Sequence, residues 1–78
     1  MSRDGFTPQE RALLQVLRSN RGKVMPRGSL LALAWGYPAD TETRTLDVHI
    51  QRLRKKLAQQ GTEEQIQTIF RVGYRLAG

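Results

Sequence analysis

Seventy-eight residues with 13 Lys plus Arg against seven Asp plus Glu, for a formal charge of +6, describe one small basic domain. The absence of cysteine excludes disulfides, thiolate metal sites and cysteine nucleophiles, and the longest apolar stretch, 30–35, falls far short of the ~18–20 residues that a membrane span requires. A strongly basic small domain suits a polyanionic partner, and nucleic acid is the commonest of these.

Residues 1–5 read as a disordered start or an expression remnant, with no apolar region of the kind a signal peptide carries. Thr7-Pro8-Gln9-Glu10 predicts a helix start: Thr7 can cap, Pro8 fits the first turn, and Glu10 stands where a capping box places its acid. Leu13, Leu14, Val16 and Leu17 continue an amphipathic helix to about Ser19, and Gly22 is the expected left-handed cap. A short extended segment at 23–25 precedes Pro26, and a second helix is predicted over 27–35 with Leu30, Leu31, Ala34 and Trp35 facing inward. Gly, Pro and Asp make 36–40 a loop. The third and longest helix is expected over 43–59 and stops at Gly61. Strands at 66–70 and 74–77 flank a turn at 71–73. Three helices with a short strand and a C-terminal β-hairpin make an α+β fold, a winged helix-turn-helix.

The third helix carries the chemistry. Taking Ile50 as zero and about 100° per residue, Leu46, Leu53 and Leu57 fall within about 60° of Ile50. Thr45, Val48, Arg52 and Lys55 lie within about 40° of the opposite direction, flanked by Arg44 and Lys56. His49 and Gln51 mark the boundaries, and Arg54 sits nearer the core side, from which it must snorkel outward. Segment 44–56 holds five basic residues and one acid, Asp47, so it alone contributes +4. Guanidinium groups can bond two acceptors on a guanine edge, while Val and Thr methyls can touch a thymine methyl. A helix with no role beyond solvation has no use for Val48 in the middle of its wet face.

Other readings are weaker. The acids are scattered, the glycines form no phosphate loop, and no nucleophile, base and orienting group assemble, so no enzymatic activity and no cofactor is expected. His49 is the only histidine and makes no metal site; it suits a phosphate contact or a plain surface role. Asp47 is expected to hold an arginine such as Arg44 or Arg75, and Trp35 to pack in the core.

The stretch 44–57 closely resembles the recognition helix of OmpR/PhoB-type response regulators. So does the end, Ile66-Gln67-Thr68-Ile69-Phe70-Arg71-Val72-Gly73-Tyr74-Arg75-Leu76, and the Thr7-Pro8-Gln9-Glu10 start and the Trp35-Gly36 pair fit the same family. The resemblance implies a bacterial, cytoplasmic effector domain that binds promoter direct repeats in double-stranded DNA as a head-to-tail dimer, under control of a receiver domain on the same chain. It implies that Thr45, Val48 and Arg52 face bases, that Arg44, His49, Gln51, Arg54 and Lys55 lie at or near the phosphate backbone, and that the wing places Arg71 by the minor groove. The loop 37–43 is similar to the family's RNA-polymerase-contacting loop.

This sequence departs from the family pattern in four places. The hairpin tip has Phe70 then Arg71 where the family has Arg then Gly, which moves the wing cation by one residue and puts a side chain where glycine supplies backbone freedom. Pro26 stands where a Ser often caps the second helix, and Gln51 replaces a residue that is often basic. The small sheet and receiver that precede the first helix in the family are not in this sequence, which reads as a fragment or a truncated member. An uncovered hairpin face, with lower stability or self-association, is expected from that. The competing function is a winged-helix protein-interaction module with weak, non-specific DNA binding; RNA binding fares worse, because an outward helix face suits the wide B-form major groove.

Overall fold

In the computed structural model, which describes residues 5–78, Thr7 opens the first helix as its spacing to Glu10 predicts. Thr7 Oγ1 accepts the Glu10 N–H at 3.1 Å, and Glu10 Oε1 accepts the Thr7 N–H at 2.9 Å, so two orphan donors are satisfied reciprocally. Most of the expected disordered start, 1–4, lies outside the described residues; Gly5 is engaged, its carbonyl accepting from Lys56 Nζ at 2.7 Å. Helix α1 spans Pro8–Ser19 and ends on Asn20. Gly22 is not the cap itself: it takes φ +83° two residues later and donates its N–H to the Leu76 carbonyl at 2.9 Å. Its freedom therefore serves the turn that brings the chain onto the sheet.

Strand β1 is Met25–Pro26 and helix α2 is Arg27–Trp35. Pro26 occupies the N-cap of α2 and offers no side-chain bond there, as a proline must. Helix α3 is Thr45–Gln60, two residues later at its start than the periodicity suggests. Thr43 Oγ1, one residue before the Arg44 N-cap, accepts the Thr45 N–H at 3.2 Å, and this holds Thr43 outside the helix. Strands β2 (Gln65–Ile69) and β3 (Gly73–Ala77) pair antiparallel, with Ile66 opposite Leu76 and Thr68 opposite Tyr74. Phe70, expected at the end of the first of these strands, belongs instead to the turn.

The sheet order is β1-β3-β2, all antiparallel. Gly73 lies against β1, where a Cβ would meet the Met25 carbonyl oxygen at 2.0 Å, so only glycine allows this approach. Leucines of all three helices, Ile50, Ile66 and Leu76 fill one core, with Val16, Ala34 and Trp35 packed on its margin. Three helices closed by a β-hairpin are a winged helix-turn-helix. The outer face of the hairpin is largely polar rather than bare and apolar: Gln65, Gln67 and Arg75 stand on it, with Arg75 Nε donating to Gln67 Oε1 at 2.8 Å. The exposed large apolar side chains of the hairpin are confined to its turn, at Phe70 and Val72.

Candidate nucleic-acid interface

Leu46, Ile50, Leu53 and Leu57 of α3 are all buried, and this fixes the opposite face toward solvent. Val48 is 45% exposed at the middle of that face, and Gln51, Arg52 and Lys55 are exposed around it. Arg44 is exposed at the N-cap, and Thr45 is half-buried with its hydroxyl 2.8 Å from that of Thr43. The side chains of Arg44, Arg52 and Lys55 have no hydrogen-bond or ion-pair partner among the described residues. Three cations thus stand with their donors unspent, beside a methyl-bearing side chain that gains nothing from water.

His49 is held rather than free. Its Nδ1 lies 2.8 Å from the Thr45 carbonyl oxygen, which can only accept, so the ring donates there and Nε2 is left to act as acceptor when the ring is neutral. Its ring meets Trp35 edge-on, with centroids 5.0 Å apart. Trp35 itself is only partly buried, packed on the margin of the core with its ring against this histidine.

A polar network holds α3 in place. Asp47 Oδ1 accepts from Arg27 Nη1 at the start of α2 and from the Tyr74 hydroxyl on β3. Arg27 Nη2 also donates to the Thr43 carbonyl at 3.1 Å. The partners expected for Asp47 were Arg44 or Arg75; Arg44 extends into solvent and Arg75 bonds Gln67, while Arg27 reaches it through the fold. The Arg27 hydrogen bond, opposed by burial and aided by Tyr74, holds the Asp47 carboxyl below its ordinary range. Burial pushes the Tyr74 phenol up, and its bond to Asp47 adds to that.

Two of the cations expected on or near the binding face are committed inside the protein. Arg54 does snorkel, but toward β2: Nε donates to the Ile66 carbonyl at 2.9 Å and Nη2 to Thr68 Oγ1 at 2.6 Å, with the guanidinium 5.7 Å from the Tyr74 ring centre. Lys56, placed by helical geometry at the flank of the wet face, turns away to pair with Glu10, which is 1% exposed. Burial raises the Glu10 carboxyl, but the bonds from Lys56 and Thr7 outweigh it and the net shift is downward. Helical periodicity cannot see either commitment, because both partners come from other elements.

At the hairpin tip, Val72 N–H bonds the Ile69 carbonyl at 3.0 Å to close the turn. Arg71 takes φ +60°, the only non-glycine positive angle among the described residues. Its guanidinium lies 5.0 Å from the centre of the Phe70 ring. The wing cation is therefore present at the tip, but stacked on a neighbouring aromatic. No helix among the described residues is long and apolar enough to cross a membrane.

Residues 5–76 match the family model described as transcriptional regulatory protein, C terminal. The chain is 42% identical over 69 residues to the response regulator ArlR of Staphylococcus haemolyticus, covering 88% of this chain and 32% of that protein. It is 42% identical over 72 residues to the transcriptional regulatory protein CseB of Streptomyces coelicolor, covering 92% of this chain and 29% of that one. The chain thus spans about a third of the length of the curated relatives it matches. Among solved structures it is similar to the DNA-binding domain of the response regulator AdeR in complex with an intercistronic region, with a TM-score of 0.81, 32% identity, and 95% of this chain and 74% of that one covered. It is equally similar to the Klebsiella pneumoniae RstA DNA-binding domain in complex with the RstA box, at a TM-score of 0.81 and 32% identity over 94% of this chain and 73% of that one.

Proposed function

The chain belongs to the family of transcriptional regulatory protein C-terminal domains, and from that premise we propose that it reads duplex DNA in a sequence-specific manner, with α3 in the major groove. The observation that carries this reading is the outward face of α3, where unpaired Arg44, Arg52 and Lys55 surround Thr45 and an exposed Val48. Arg52 is assigned a bidentate contact to a base edge, and Val48 and Thr45 the contact with a thymine methyl. Arg44, Gln51 and Lys55 hold phosphates and set the docking angle, and His49 joins them in its doubly protonated form, in which Nε2 carries a proton to donate while Nδ1–H stays on the Thr45 carbonyl. Arg54 acts on DNA through one side only, since two of its donors hold the wing.

The wider assignment follows the relatives, whose names describe response regulators. The domain acts as the output end of a bacterial two-component regulator in the cytoplasm, joined to a receiver domain, and binds direct repeats as a head-to-tail dimer. Loop 37–43, exposed over most of its length, is the surface assigned to RNA polymerase. No catalytic role is assigned to any residue.

The test is fluorescence anisotropy with a randomised duplex pool and its selected winners, at two salt concentrations, for the wild-type chain and Arg52→Ala. Winners should bind far better than the pool, and Arg52→Ala should cost about 1–3 kcal/mol while erasing preference at one base position. Equal weakening of every duplex by Arg52→Ala would remove base reading from α3.

A further inference from the structure

Phe70 takes no part in the hydrophobic core. It is 71% exposed at the hairpin tip, next to a half-exposed Val72, and its only ring contact among the described residues is the Arg71 guanidinium stacked on it. A single exposed ring would be ordinary, but Phe70 and Val72 together put an apolar tip in water on a braced hairpin, which suits a contact surface. The hairpin behind it is braced twice. Arg54 ties β2 to α3 through Ile66 and Thr68, and Tyr74 ties β3 to Asp47 on the same helix. On the other side Gly73 presses β3 onto β1. The tip is therefore presented at a fixed offset from the outward face of α3.

The charge around the ring selects its occupant. Segment 65–78 contains Arg71 and Arg75 and no acid. Asp47, which accepts from the Tyr74 hydroxyl, is already paired with Arg27, so the setting is cationic, and it matches a nucleic-acid groove, whose walls are phosphates and whose base faces become an apolar surface once a step is opened. Phenylalanine has no donor or acceptor with which to read base edges. What it can do in a minor groove is enter a base step, partly unstack it and kink the duplex. Pyrimidine–purine steps yield most readily to this.

We propose that Phe70 is such a wedge: it enters the minor groove beside the bases read by α3, opens a pyrimidine–purine step, and leaves Arg71 against the flanking phosphates. This rests on the reading of α3 as a DNA reader, and it assigns the wing its own specificity, for the deformability of a step rather than the identity of a base.

The experiment uses duplexes selected by the wild-type chain, with the α3-read bases held constant and the step facing the wing set to TA or embedded in an A-tract. Affinity is read by anisotropy and bending by energy transfer between end labels, for wild type, Phe70→Ala and Arg52→Ala. Wild type should favour the TA duplex by roughly tenfold and bend it. Phe70→Ala should lose both the step preference and the bend while keeping the base preference of α3, and Arg52→Ala should do the reverse. A Phe70→Ala chain that retains the step preference and bend overturns the wedge, as does a wild type indifferent to the step. A change confined to molecular mass in light scattering would also overturn it, because the ring would then meet a second copy of the chain. Failure of wild type to select any sequence would remove the α3 reading itself, an outcome distinct from selection without step dependence.

Discussion

Arg71 holds φ +60°, an angle that costs a residue with a Cβ about 1–2 kcal/mol. Its stacking on Phe70 returns part of this, on the order of 0.5–1 kcal/mol at an exposed site. The two effects separate by substitution. Arg71→Ala loses the stacking and keeps the angle, so its unfolding midpoint in urea should fall. Arg71→Gly loses the stacking and relieves the angle, and it should be the more stable of the two by about 1 kcal/mol. Equal midpoints would mean the turn has relaxed away from the left-handed angle. The position was legible in the sequence as an arginine where glycine is customary. That the backbone had kept the glycine's angle was not, because a turn's dihedrals depend on how its flanking strands are held.

Among elements, the interaction that decides the site is the one that fixes α3. Asp47 joins α3 to Arg27 of α2 and Tyr74 of β3, and all three side chains turn away from the outward face. Asp47→Asn keeps the shape but removes the charge from the Arg27 bond. Because Asp47 and Arg27 are each 39% exposed, the loss should be modest, about 1–2 kcal/mol by thermal or urea unfolding. Weakened DNA binding should accompany it at temperatures where the chain is still folded, since α3 and the wing lose their common anchor. The outline of the elements was readable from local chemistry: the Thr7 capping box, the leucine stripe of α3 and the β-rich end all stand where expected, within one or two residues. The errors have one cause. Thr43 stays outside α3 and accepts from its first N–H instead of entering it, and Phe70 turns instead of extending, because a side chain's or a neighbour's hydrogen bond overrode the pattern at an element's end.

For the whole molecule, Glu64 closes the chain on itself, joining the approach to β2 with the end of α1. It accepts from Arg18 at 2.6 Å and from Arg21 at 2.8 Å. The Arg18 bond, opposed by burial and aided by Arg21, lowers its carboxyl from an ordinary 4.5 to about 2. A lowered folded-state value means stability that is present above about pH 4.5 and lost as pH falls toward 2. The arginines are 46% and 42% exposed, so after screening this amounts to on the order of 1–2 kcal/mol. Glu64→Gln should therefore flatten the acid limb of stability against pH between those values, leaving the contributions of Asp47 and Glu10, whose carboxyls are also lowered. An unchanged acid limb would show that the pair is too solvated to matter.

Caps, helical and strand periodicity, the excess of cations and the face of α3 opposite its leucines were all readable from the order of residues, because each acts over a short span of chain. These rest on backbone hydrogen bonds and side-chain spacing, which are local. Which cations remain for a partner depends instead on contacts made across the fold. Lys56 is neutralised by Glu10 and Arg18 by Glu64, each 46 residues away, and Arg27 by Asp47, 20 residues away. No local pattern encodes such pairs, because charges meet by proximity in space, and proximity comes only once the core has set the elements against one another.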